Sequence, residues 1–167
     1  MPIESPSAPG TTDELVQGEK MIVSAHTGGV LLPDSYINKR QHMKAFREDV
    51  DELRGHHRWS FTRLSDGVYA IQHVVSGRYV EPLRKSEDSA VYENVRYQGP
   101  ILLETGPIAE ARNAWEIRRR GDYFQIGLRG TRYVIGLTHP DHADSWVTLL
   151  DPWWSTDRLW LIHDATG

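Results

Sequence analysis

The chain has 167 residues, 39% of them apolar, with a formal net charge of −4, six Trp and no Cys. That length favours one domain with a sizeable core, and the charge gives no electrostatic reason to expect nucleic acid or an anionic membrane as partner. Without Cys, neither disulfides nor thiolate metal sites hold the fold. No apolar run has the length of a signal peptide or a membrane span, so the expected setting is cytoplasmic.

Residues 1–17 are rich in Pro, Ser, Thr and Gly and lack apolar periodicity, which reads as a flexible tail before one domain spanning 18–167. Lys20 to Ala25 reads as a strand, His26-Thr27-Gly28-Gly29 as a turn and Val30 to Leu32 as the return strand. Pro33 ends that pairing because it has no backbone donor. Within 37–56, Met43, Phe46, Val50 and Leu53 recur at spacings of three and four, the face of a short helix, although the same stretch must supply a strand if the repeat is complete. Its charges, Asp49, Asp51 and Glu52 among them, read as a solvated insertion with no apolar pocket to separate their pKa values.

Asp66 to Pro82 is a strand, a Ser-Gly turn and a second strand, and it recurs. Moved back 49 positions, Gly67, Ile71, Gly77 and Pro82 fall on Gly18, Ile22, Gly28 and Pro33. Moved forward 55, Ile71 falls on Ile126, and dropping one residue at the turn then sets Arg78-Tyr79-Val80 on Arg132-Tyr133-Val134. A second marker accompanies each copy: Trp59-Ser60-Phe61, Trp115-Glu116-Ile117 and Trp160-Leu161-Ile162. The second copy is completed by a strand expected at Pro100 to Glu104, after a loop bearing Tyr92, Tyr97 and Gln98. The third offers strands at Tyr123–Leu128, Arg132–Leu137, Trp146–Leu150 and Leu159–His163.

Short strands with turn signals at this density argue for an all-β barrel or sandwich. Trp59 precedes Ile71 by 12 residues and Trp115 precedes Ile126 by 11, so each Trp strand is hairpinned to the next copy. Trp160 gains an equivalent partner only by returning to the strand of Ile22, which closes the sheet and removes its edges. The expected fold is a β-trefoil: three four-stranded pseudo-repeats, about 18–65, 66–120 and 121–165, closing a barrel with the three Trp in its core.

These features resemble the ricin-B-like β-trefoil superfamily over about residues 18–165, through Tyr-x-Ile and Ser-Gly-x-Tyr-Val in 69–80 and the repeated Trp-x-Phe/Ile. Lectins of that family carry Gln two residues before the Trp, where this chain has His57, Asn113 and Arg158. They also carry an acidic residue after the second strand of a repeat, matched here by Glu81 but replaced by Leu32 and Ile135 in the other copies. The resemblance thus implies a carbohydrate-binding protein with at most one such site, of the kind found among fungal defence lectins. The chain is also similar to the mushroom β-trefoil protease inhibitors, through Val147-Thr148-Leu149-Leu150-Asp151-Pro152 and Leu159-Trp160-Leu161-Ile162.

No Gly-x-Ser-x-Gly elbow, P-loop, dinucleotide fingerprint or His-Glu-x-x-His is present, so the expectation is a recognition protein without catalysis or cofactor. His139-Pro140-Asp141-His142 has the residue types of a metal site but reads as a polar surface turn. A sugar needs an aromatic face for stacking and a few fixed polar groups for its hydroxyls. Glu81 with Tyr92, Tyr97 and Gln98 supplies one such mixture. The loop Asp151-Pro152-Trp153-Trp154 supplies another, because two adjacent Trp in an extended loop cannot both point inward. The alternatives are a protein-interaction module on the same scaffold and an inhibitor of a trypsin-like protease, which would present Arg119, Arg129 or Arg132 from a hairpin tip.

Overall fold

The computed structural model describes residues 12–37, 40–47, 52–84, 97–103 and 114–165, with 97–103 described at the backbone. It is built from antiparallel strands: β1 (Lys20–Ser24), β2 (Val30–Ile37), β3 (Arg40–Phe46), β4 (Trp59–Ser65), β5 (Val68–His73), β6 (Tyr79–Arg84), β7 (Tyr97–Leu103), β8 (Trp115–Arg120), β9 (Tyr123–Leu128), β10 (Val134–Leu137), β11 (Ser145–Leu150) and β12 (Trp160–Asp164). Short 3-10 turns occupy Asp13–Val16 and Thr156–Arg158.

Six strands pair in a closed circuit, β1 to β4, β5, β8, β9, β12 and back to β1. The remaining strands form hairpins β2–β3, β6–β7 and β10–β11, and β3 joins them by pairing with both β7 and β11. The circuit leaves no exposed edge among its members.

One contact recurs three times and explains why Trp marks each copy. Trp59, Trp115 and Trp160 are fully buried, and their indole N–H groups donate to the backbone carbonyls of Leu31, Val80 and Ile135 at 3.2, 2.9 and 3.0 Å. Burying the ring is favourable only because the indole donor finds that acceptor. Opposite the three Trp stand Lys20, Tyr69 and Phe124. Around them pack Ile22, Ile71 and Ile126 with Leu31, Met43, Ile117, Ile135 and Leu149.

These contacts also correct the register of the third copy. Leu31, Val80 and Ile135 are separated by 49 and 55 residues with nothing dropped. The turn bonds agree: Ser24, His73 and Leu128 donate their N–H to the carbonyls of Gly29, Arg78 and Tyr133. The third turn keeps its length but moves its left-handed residue, to Gly130 at φ +79° in place of a glycine equivalent to Gly77. Gly136, not Ile135, is therefore the counterpart of Glu81.

Three local expectations also change. β2 runs past Pro33 to Ile37, because Pro33 sits beside a register shift between Pro33 and Tyr36, where a missing donor is tolerated. Within the stretch read as helical, 40–46 is strand β3: Met43 and Ala45 alternate into the core, while Phe46 and, from the turn that follows, Leu53 pack with Met21, Val30 and Leu32 in a second cluster. Val50 lies outside the described residues. The segment 12–17 is part of the domain rather than a tail. Leu15 is in the main core at 1% exposure, and the Tyr69 hydroxyl donates to the Thr12 carbonyl (2.8 Å) while sharing a second bond with the Thr12 hydroxyl (2.6 Å).

Lys20 and His73 are among the polar side chains buried in the described residues. The Lys20 stem is buried, and its ammonium reaches Asp164 at 2.6 Å, whose largely exposed carboxyl that hydrogen bond and charge hold below the usual range. His73 is buried between Trp59 and His56, with ring centroids 5.0 and 5.5 Å away. Its Nε2 bonds the His56 carbonyl at 2.9 Å and its Nδ1 the Ser76 hydroxyl at 2.8 Å. A carbonyl only accepts, so the proton belongs on Nε2 and the serine donates to Nδ1. Burial above all keeps this imidazole neutral, its pKa below the ordinary value.

Candidate functional site

β11 ends at Leu150, and the next residues cannot continue the ladder because Pro152 has no N–H. The chain turns at once, with the Trp153 N–H donating to the Asp151 carbonyl at 2.9 Å. It then passes through the 3-10 turn at Thr156–Arg158 and enters β12 at Trp160. The Ser155 hydroxyl donates to the Asp157 carboxylate at 2.5 Å.

Gly136 is what lets this loop lie against β10. A Cβ there would meet Leu150 Cδ1 at 2.9 Å, Arg158 Cγ at 3.0 Å and the Asp157 carbonyl at 3.1 Å. The counterpart of Glu81 is a glycine because the loop occupies the space a side chain would need. Arg158 then ties the loop from within. It donates to the Asp151 carbonyl at 2.7 Å, approaches the Asp157 carboxylate at 3.5 Å, and lies 4.4 Å from the Trp153 ring centroid. Buried Gln125 donates to the Pro152 carbonyl at 3.4 Å and accepts from Arg118 at 3.3 Å. Arg132 pairs with Asp151 at 2.9 Å, and Arg120 lies 4.0 Å from the Trp154 ring centroid.

The outcome is a fixed loop with one large apolar side chain in solvent. Trp153 is 62% exposed, more than any other large hydrophobic residue described, while Trp154 is half-buried under Arg120. Arg118 and Arg120 alternate on β8 and Arg158 precedes Trp160 by two. The spacing was visible in the sequence, but nothing in it showed that β8, β10 and the loop meet.

The other expected site is not assembled in the same way. Glu81 and Val80, which point to opposite faces of β6, are each 2% exposed, so the strand is covered on both sides and this carboxylate offers no open acceptor. Tyr97 and Gln98 belong to β7 and pair with Arg84 and Leu83, beyond Ile101, which faces Glu81. Tyr92 lies outside the described residues.

Of the arginines expected at an inhibitory tip, Arg119 is committed to the fold. It donates to the Gly121 carbonyl at 2.8 Å, pairs with Glu14 and lies 5.4 Å from the Phe124 ring centroid. Arg132 is engaged with Asp151. Arg129 is exposed at its turn. His139 and His142 stack at 5.2 Å, and among the described residues no group of three or more His, Cys, Asp or Glu is placed to hold a metal.

No family profile and no curated protein matches the chain by sequence. Solved structures do match by shape. A designed threefold-symmetric protein, ThreeFoil, aligns over 89% of this chain and 100% of its own at 12% identity, with a TM-score of 0.66. The chain folds as a β-trefoil. A ricin B-like lectin from Macrolepiota procera, solved with lactose, aligns over 89% of this trefoil and 96% of its own chain at 16% identity and a TM-score of 0.60. A Polyporus squamosus lectin bound to a sialylated epitope aligns over 95% of this chain and 50% of its own at 16% identity, TM-score 0.64. At such identities the likeness is one of fold. No helix among the described residues is long and apolar enough to cross a membrane.

Proposed function

We propose that this trefoil is a non-catalytic glycan-binding protein whose binding surface is the 151–158 loop. The observation that carries the reading is Trp153, an indole 62% exposed on a loop whose backbone is tied by Arg158 and Gln125. An exposed indole on a fixed loop, apolar over its face and polar at its N–H, is the kind of side chain enriched at recognition sites. A pyranose presents the flat apolar face that an indole stacks against, and Asp151 and Arg132 stand beside it as orienting polar groups. The presence of lectins among the similar structures supports the same reading. It also takes the fold as three four-stranded repeats around a barrel, supported by the three equivalent Trp contacts and the closed circuit of pairings. Glu81 has no part in it.

The test is a broad glycan array probed with the full chain and with Trp153→Ala. The expected result is retention of a defined set of glycans by the parent and its loss in the variant. An array without any bound glycan overturns the proposal.

One observation favours a second reading. Arg129 is held at an exposed turn by its own N–H on the Ala114 carbonyl (3.2 Å) and by the Thr131 hydroxyl on the Leu128 carbonyl (2.9 Å), the rigid display an inhibitor needs. Inhibition of a trypsin-like protease that disappears with Arg129→Ala would favour it, and a serine-protease panel without inhibition at micromolar protein would remove it.

A further inference from the structure

The four arginines around the 151–158 loop are not equivalent. Arg132 is paired with Asp151 at 2.9 Å and Arg118 with Glu116 at 3.2 Å. Arg158, its side chain 13% exposed, is turned inward to the Asp151 carbonyl and the Asp157 carboxylate. Arg120 differs: among the described residues its guanidinium meets the Trp154 ring at 4.0 Å and no carboxylate. A guanidinium laid against a ring face is held in place while its in-plane N–H donors stay available, so less freedom is lost when they are used. Three of the four arginines are paired with a carboxylate, Glu116, Asp151 or Asp157, whereas Arg120 lies on the Trp154 ring.

Resting on the glycan reading of Trp153, the geometry points to a glycan bearing an anionic group, a carboxylate or a sulfate, as the ligand of this loop. Trp153 carries one sugar ring, and Arg120, laid against Trp154 on the next residue of the loop, carries the anion on another part of the same glycan. The planar fork of an arginine matches two oxygens of either group, which an ammonium does not. A neutral glycan uses the indole alone and leaves the fork to water.

The experiment is an array in which each neutral glycan stands beside its sulfated counterpart and its counterpart carrying a uronic or sialic acid, probed with the full chain, Arg120→Gln and Arg120→Lys. The tightest matched pair is then titrated in solution at about 50 and 500 mM NaCl, where screening separates a charged contact from stacking. The parent is expected to bind the anionic member at least about tenfold more tightly than its neutral partner, with the preference shrinking at high salt. In Arg120→Gln the ratio falls to near one, and Arg120→Lys restores only part of it. Which arm binds, sulfate or carboxylate, identifies the source of the anion. Because the ratio is internal to each preparation, a partly folded variant does not mimic the effect. Equal binding of both members by the parent, or an unchanged ratio in Arg120→Gln, overturns this inference and leaves the glycan reading standing. Retention of no glycan overturns both.

Discussion

Trp115 and Trp153 are the same residue in opposite circumstances. Trp115 is fully buried, donates its indole N–H to the Val80 carbonyl and has counterparts at Trp59 and Trp160. Trp153 is 62% exposed, has no counterpart and lies beside Arg158. What repeats threefold is explained by the packing of the scaffold. Trp153 occurs once and stands outside that packing, on a loop tied by Arg158 and Gln125. Glu81 shows that the singular position must also be open: it too is unlike its counterparts Leu32 and Gly136, yet it is buried.

The sharpest way to break this contrast is to truncate both indoles. Trp115→Ala should cost about 3–5 kcal/mol, by lost burial, a cavity and an orphaned carbonyl at Val80. A denaturant titration measures it, and a loss under about 1 kcal/mol would place Trp115 outside the cooperative core. Leu15→Ala should follow at about 2–4 kcal/mol, since its side chain is 1% exposed in the same core. If its unfolding midpoint matched that of the parent, the segment 12–17 would be a tail after all.

His73 offers a pH test of the scaffold side. Its folded pKa lies below the ordinary histidine value, so between the two the unfolded chain holds a proton that the folded chain lacks. Stability from this group is therefore complete above about pH 6.5 and is lost as the pH falls toward the lowered value. The parent should melt lower at pH 5.5 than at pH 7.5, and the difference should narrow in His73→Gln.

Lys20→Met should change stability at neutral pH by no more than about 1 kcal/mol, because burying the lysine offsets much of its attraction to a solvent-facing Asp164. A large loss would mean that this position needs its charge. The smallest stability effect belongs to Trp153→Ala, within about 0.5 kcal/mol, as for most exposed side chains. The glycan array should register its loss fully. Equal stability losses at Trp115 and Trp153 would erase the distinction between scaffold and site.

Much of the fold is legible in the sequence. The offsets of 49 and 55 residues, the Ser-Gly turn and the three Trp pointed to a closed trefoil, because each copy must bury the same apolar face in the same way. The exposed loop was legible in part, since adjacent side chains on an extended backbone point opposite ways and one of Trp153 and Trp154 had to face outward. Local rules failed where pairing overrode them. The three- and four-residue spacing of Met43 and Phe46 gave way to a strand because β2 offered it a ladder, and Pro33 was carried by a bulge. Thr12 and Leu15 joined the domain through Tyr69 and the core, contacts that no neighbouring residue announces.

The sequence by itself determined the all-β class, the threefold marker and the residues able to stack on a sugar, because periodicity and side-chain chemistry are properties of the chain. Only the tertiary structure decided that Glu81 is enclosed, that Gly136 makes room for the loop, and that Arg118, Arg120, Arg132 and Arg158 meet around it. Those outcomes depend on which strands lie side by side, and strand neighbours are set by closure of the sheet rather than by nearness along the chain.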